Sequence, residues 1–268
     1  MSRRLKRIVS WEGKGLHSGS ECKVTLYPSE ELSLSFNNMC FPIKELKFEG
    51  SARGSNLIFP DGSKVRTVEH LLSAIGGLGL WKTNIEAEGI EFPAIDGCSE
   101  TFCRKLLESS EECEPVKPLL IHSPVYCEGA NNAFITAVPA EKLSITYIIK
   151  YENNLIGTSL YDYNETGGEF YINEISRART FALESDINLL LQNGMALGGS
   201  LANAILVGES DIQTNGGLRY GDEFVRHKIL DLIGDLALIG KPVCAKIIAI
   251  RAGHLSHLQF IEKLRRLS

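Results

Sequence analysis

The chain lacks a Cys-x-x-Cys pair, an apolar run of about eighteen residues, and any Gly-Lys-Ser or Gly-Lys-Thr phosphate loop. It also lacks low-complexity tracts, short repeats and an excess of positive charge. Each absence removes a class of protein. The seven cysteines, at 22, 40, 98, 103, 113, 127 and 244, are odd in number and scattered. They therefore support neither a disulfide framework nor a thiolate zinc site, and reduced thiols in a cytoplasmic protein are the expectation. Without a long apolar run, no helix is expected to span a membrane. The basic start, residues 1–10, is not followed by the apolar segment of a secretory signal, because Trp11-Glu-Gly-Lys-Gly15 intervenes. A net charge of −5 leaves no footprint for nucleic acid. With 44% hydrophobic and 23% charged residues over 268 positions, a soluble globular chain of one large or two smaller domains is expected.

What the chain does have is a histidine and two aspartates at four-residue intervals. His227, Asp231 and Asp235 lie within Phe224-Val-Arg-His-Lys-Ile-Leu-Asp-Leu-Ile-Gly-Asp-Leu-Ala-Leu238. On a helix, positions four apart stack on one stripe. The other positions are mostly Ile, Leu and Ala, so this helix is expected to be buried. Buried carboxylates need a partner or a cation, and a His and an Asp one turn apart can both ligate one metal ion. An internal salt-bridged helix is the competing account.

The acidic, two-proline stretch Ser109–Pro118 reads as a linker and suggests domains at 1–116 and 117–268. Both halves show strand-like alternation followed by helix. In the first, Cys22–Tyr27 and Leu32–Phe36 alternate with period two, and helices begin near Thr67 and near Ser99 or Glu100. In the second, Ala133–Val138, Leu143–Ile149 and Lys246–Ile250 read as strands. Asp186–Gln192, Val225–Leu238 and the tail from His254 to Leu267 read as helices. The pattern predicts an α+β fold.

Three further places carry chemistry. Glu69 and His70 are adjacent at a helix start, where one can bind a metal while the other acts as a base beside it. His254 opens the last helix, where the positive field opposes protonation unless a carboxylate compensates; Asp235 is the candidate. His257, one turn further, reads as a second ligand or, more simply, as an exposed helix histidine. Ser176-Arg-Ala-Arg-Thr-Phe181 combines basic residues with the hydroxyl of Thr180. His70, His227 and Asp231 would supply the three protein ligands of a catalytic zinc site, with Glu69 as general base and His254 as proton donor.

Taken together, Gly15–Gly19, Thr67–His70, Asp96-Gly97, Ser176–Phe181, Gly198–Ser200, Val225–Asp231 and Gly253-His254 resemble the UDP-3-O-acyl-N-acetylglucosamine deacetylases of lipid A biosynthesis. The run Val225-Arg-His-Lys-x-x-Asp-x-x-Gly-Asp235 is highly specific, and the resemblance covers nearly the whole chain. It implies two similar two-layer α+β domains, packed helix to helix, with the site at their interface. It implies a Zn2+ enzyme that hydrolyses the 2-acetamido group of a UDP-linked acylated glucosamine and releases acetate. By residue, it implies His70, His227 and Asp231 as zinc ligands and Glu69 as the base. It implies His254 as the protonated partner, Asp235 as its orienting carboxylate, and Thr180 as an oxyanion donor. Lys228 and Arg251 would meet the polar head and diphosphate, and Tyr151 the nucleotide. An insert at about 182–207 would form an acyl passage lined by Leu16, Phe181, Ile187, Leu201 and Leu206. Phe92 and Ala182 depart from the family's usual smaller aliphatic and glycine. A monomer is expected.

Two alternatives stay open on the residues alone. One is a zinc amidase acting on another acetylated amino sugar. The other is a non-catalytic lipid-binding module of the same fold. Iron would suit the same donor set.

Overall fold

The computed structural model describes residues 2–51 and 53–267. Two sheets dominate it. The first has the strand order Val9–Lys14, Glu21–Pro28, Thr83–Glu88, Ser33–Phe36, Met39–Pro42. The second runs Val125–Glu128, Phe134–Pro139, Val243–Ile250, Ser144–Lys150, Thr158–Asn164, with Leu119–Leu120 pairing alongside Val243–Ile250. In chain order both sheets read one, two, five, three, four. Within each set of five, only the pairing of the fifth strand with the third is parallel; the added Leu119–Leu120 also runs parallel to Val243–Ile250. The two halves thus repeat one topology.

The expected period-two strands form, and their alternation decides which side faces inward. Val24 and Leu26 are fully buried and sit opposite Ala87 and Ile85. In the second sheet, Ile145 and Tyr147 pair with Ile247 and Ala249, all buried.

Each half sends a helix from its fourth strand back to its fifth. These are α1, Glu69–Leu78, and, after the intervening α2 (Glu100–Glu108) and α3 (Glu184–Gln192), the long α4, Glu223–Leu236. The last helix, α5, spans His254–Arg265. α1 and α4 pack on each other more extensively than any other helix pair. All of α4 is buried except Arg226 and Lys228. Each fully buried Ile or Leu there contributes about 1.5–3 kcal/mol of transfer free energy. That gain holds the polar stripe of α4 in the interior.

Three findings extend or correct the sequence expectations. Ser110–Cys113 is no free linker but a strand paired antiparallel with Ser2–Leu5. The insert after Thr180 extends beyond Val207 to Gln213. Phe181–Leu183 and Ile205–Val207 pair in parallel, and Ile212–Gln213 closes the small sheet. A matching three-stranded sheet, Lys47–Ser51, Gly54–Ile58 and Lys64–Val65, inserts in the first half. All seven cysteines are free thiols. Among the described residues, no helix is long and apolar enough to cross a membrane.

Candidate metal centre

Glu69 and His70 form the first turn of α1. Thr67, just upstream, has a φ of 52°, a costly conformation for a β-branched residue. Its hydroxyl donates to buried Glu91 at 2.8 Å, and Glu91 also accepts from the backbone N–H groups of His17 (2.9 Å) and Ser18 (2.7 Å). One carboxylate thereby fixes both the entry to α1 and the Gly15–Gly19 loop.

His227 and Asp231, one turn apart on α4, face His70 across the helix seam. Asp231 Oδ1 lies 3.3 Å from His227 Nε2 and 3.8 Å from His70 Nε2. The two imidazoles meet edge to face, with centroids 5.1 Å apart. His227 Nδ1 donates to the Ala178 carbonyl at 3.0 Å, which leaves the lone pair of Nε2 aimed at the other two. Burial pushes His70 down to about 3 and His227 below its ordinary value, so both rings are neutral. Burial alone would raise the Asp231 carboxyl. His227, Lys228 and His254 outweigh it and hold that carboxyl well below the usual range.

Asp231 Oδ1 is buried and has no hydrogen-bond partner among the described residues. Its sister Oδ2 accepts from Lys228 Nζ at 2.8 Å. An orphaned carboxylate oxygen in the interior is costly. Two neutral imidazoles and one such oxygen are the donor set of a divalent metal. Atoms bound to a tetrahedral zinc stand roughly 3.3–3.5 Å apart, close to the spacing found here. A second group, Asp235, His254 and His257, does not fit. Both Nδ1 atoms sit 2.9 and 2.8 Å from Asp235 Oδ2. Those are hydrogen bonds, with no room for an ion between.

Glu69 and His254 flank the first group. Glu69 Oε2 accepts from the Ser55 N–H at 3.1 Å, and Oε1 lies 3.7 Å from His254 Nε2. Burial raises the Glu69 carboxyl to about 7, against the opposing pull of His254. For His254 burial works to lower the value, but Asp235, Glu69 and Asp231 together hold it well above the ordinary one. His254 is therefore a cation at a helix N-terminus, sustained by the carboxylate expected to compensate.

These groups line a small cavity of about 80 Å³ together with Leu16, Thr180, Phe181, Tyr151 and Lys228. It shares Leu16, Arg53, Thr180 and Phe181 with a larger, mainly apolar cavity of about 320 Å³ under the insert. Ile187, Leu201 and Leu206 line that second cavity, and so does Ala182. The Thr180 backbone is pinned on both sides, N–H to Gly97 O and C=O to Ile205 N. Its hydroxyl makes no hydrogen bond among the described residues, so it is available to a ligand. Lys228 Nζ stands 5.7 Å over the Phe181 ring, and Tyr151 meets the same ring edge-on at 5.7 Å.

Arg251 is brought to neither cavity. It ends strand Val243–Ile250 at a φ of 51°, its N–H bonded to Ile148 O. His257 is fully buried, against the expectation of an exposed helix histidine, because Asp235 and Tyr147 take its two ring nitrogens. Four residues at the site went unnoticed in the sequence: Ser55, Glu91, Tyr147 and Arg53. Arg53 pairs with Asp186 and so joins the two inserts across the apolar cavity.

A family model described as UDP-3-O-acyl N-acetylglycosamine deacetylase matches residues 2–266. A protein of Thermodesulfovibrio yellowstonii is 38% identical over 266 residues, 97% of this chain and 90% of its own length. Relatives from Myxococcus xanthus and Chlamydia muridarum are 36% and 35% identical; each covers 98% of this chain, and the matches span 85% and 94% of their own lengths. All three are named UDP-3-O-acyl-N-acetylglucosamine deacetylase. By the extent of the family match and the level of identity, the chain belongs to the UDP-3-O-acyl N-acetylglycosamine deacetylase family.

Proposed function

We propose that this protein is a zinc-dependent hydrolase that removes the acetyl group from UDP-3-O-(3-hydroxyacyl)-N-acetylglucosamine in lipid A biosynthesis, acting as a cytoplasmic monomer. The observation that carries the proposal is the orphaned Asp231 Oδ1 between two neutral imidazoles, beside Glu69 and His254. His70, His227 and Asp231 would hold the metal. Zinc bound there supplies Lewis-acid polarisation of the acetamide carbonyl and acidifies water.

The chain's own residues do the rest. Glu69 accepts a proton from the attacking water, a task that suits a carboxyl raised toward neutrality by burial. Thr180 donates its hydroxyl hydrogen to the oxygen that gains charge as the carbonyl carbon becomes tetrahedral. His254 gives its Nε2 proton to the nitrogen as the C–N bond breaks, leaving a free amine and acetate. Asp235, at 2.9 Å from Nδ1, keeps the imidazole protonated and oriented. The apolar cavity under the insert receives the acyl chain, and Lys228 and Tyr151, which line the smaller cavity, serve the sugar and diphosphate. In this scheme residues 1–116 bring the base and one ligand, and residues 117–268 bring the remaining ligands, the acid and the passage.

The test is acetate release from UDP-3-O-acyl-N-acetylglucosamine by purified protein, before and after chelation and after zinc is restored. The proposal expects activity to vanish and return, with free UDP competing. Undiminished acetate release from metal-stripped protein would overturn it.

A further inference from the structure

One buried histidine has no part in that scheme. His257 lies one turn into α5, fully buried. Its Nδ1 donates to Asp235 Oδ2 at 2.8 Å, the same oxygen that receives the His254 Nδ1–H at 2.9 Å. Its Nε2 accepts from the Tyr147 hydroxyl at 2.9 Å, and the same hydroxyl oxygen lies 2.8 Å from the Ala252 carbonyl, so the two acceptors share its one hydrogen. Ala252 belongs to the loop that delivers His254. Tyr147, fully buried, sits in strand Ser144–Lys150 beside the central strand Val243–Ile250. The ring of His257 is thus anchored to the sheet at one nitrogen and to the carboxylate at the other.

Rotation of an aspartate carboxylate about its last torsion is soft. A carboxylate bonded to one imidazole alone can swing and take that imidazole with it. Here Ser55 holds Oδ1, and two imidazoles from successive turns of α5 converge on Oδ2. Three donors from two directions define the carboxylate plane. That plane in turn sets where His254 Nε2 points, between Glu69 Oε1 at 3.7 Å and Asp231 Oδ2 at 3.5 Å.

We propose that His257 is a positioning residue for the reaction, fixing the Asp235 carboxylate through its Nδ1–H so that His254 is aimed at the reacting atoms. This rests on the proton-donor role given to His254 above. The relevant atom is Nδ1, and Tyr147 acts only to hold the ring.

The two nitrogens can be separated by substitution. In His257→Asn the side-chain amide occupies the place of Nδ1 and can still donate to Asp235. In His257→Gln the amide falls at the place of Nε2, toward Tyr147. His257→Leu has neither. We expect kcat to fall about 10–100-fold in the Gln and Leu variants, with KM within about twofold. The Asn variant should recover most of the loss. Equal losses in Asn and Gln, tracking a common drop in Tm, would reduce His257 to a packing residue. In an Asp235→Asn background, adding His257→Leu should cost little further kcat, because the two act in series; additive losses would overturn the proposal.

Nitrogen-15 NMR of the histidines gives a reading independent of turnover. The His254 Nδ1–H signal should shift in the Gln and Leu variants and stay in place in Asn. If the wild-type protein released no acetate, the functional reading would fall. The NMR comparison would still decide whether His257 governs His254, and an unmoved His254 signal in all three variants would refute the link.

Discussion

Gly234 on α4 lies directly against the backbone of Glu69 on α1. A β-carbon built at Gly234 would stand 2.0 Å from the Glu69 carbonyl oxygen. The contact partner is main chain at a helix start and cannot rotate away. The absence of a side chain at 234 is what lets the two helices approach closely enough for His70 to face His227 and Asp231. Gly234→Ala should therefore push the start of α1 outward. Overpacking of this kind costs about 1–3 kcal/mol, and a displacement near 1 Å costs on the order of 100-fold in rate. Thermal unfolding and kcat measured together test this; an Ala variant with unchanged rate would show that the seam tolerates separation.

Glu69→Gln should leave the metal bound and reduce kcat by about 10²–10⁴-fold, the usual weight of a positioned base. The amide keeps the shape and can still meet the Ser55 N–H through its oxygen. Metal content by elemental analysis and acetate release together separate the two effects. A fully active Gln variant would remove Glu69 from the mechanism.

The pH dependence follows from the two flanking groups. The proposed mechanism needs Glu69 ionised, so kcat/KM should rise with pH through the Glu69 value. Burial sets that value at about 7, and a cation on the neighbouring ligands draws it lower. That mechanism also needs His254 protonated, so activity should fall as pH passes the His254 value. The carboxylates hold that value well above the ordinary histidine one. The expected profile is a bell. Asp235→Asn removes the nearest negative partner of His254, so the basic limb should move to lower pH; a basic limb unmoved by this change would disconnect it from His254.

Ala204 lines the apolar cavity under the insert. Replacing it with Phe should fill space that the proposed acyl passage uses. Losing contact with about two methylenes, near 1.6 kcal/mol, lowers kcat/KM roughly tenfold for a long-chain substrate. A short-chain analogue should be nearly unaffected. Equal losses on both would indicate damage to the centre itself and not a shortened passage.

The α4 stripe was legible because a period of four residues is a local property, and the apolar remainder announced burial. The strands were legible by the same kind of argument at period two. What could not be read was any role defined by a distant partner. Ser55 meets Asp235 across 180 positions, and Glu91 meets the His17 N–H across 74; a lone serine or glutamate gives no hint of either. His257 was visible but misjudged, since its position on α5 says nothing of the Tyr147 hydroxyl waiting beneath it. Ser110–Cys113 carries two glutamates and passed for a linker, although backbone pairing with Ser2–Leu5 asks nothing of its side chains. The convergence of His70 with His227 and Asp231 required the fold itself, because no spacing within either half encodes it.

Both sheets weave the same strand order, and each contributes its returning helix to the seam. One strand order thus occurs twice, and the two copies contribute unequally to the candidate donor set: His70 from the first, His227 and Asp231 from the second. An ion gripped in this way would rivet the pair. Mass action then makes the bargain mutual, since whatever tightens α1 against α4 strengthens the grip on the ion, and whatever removes the ion lets the seam breathe.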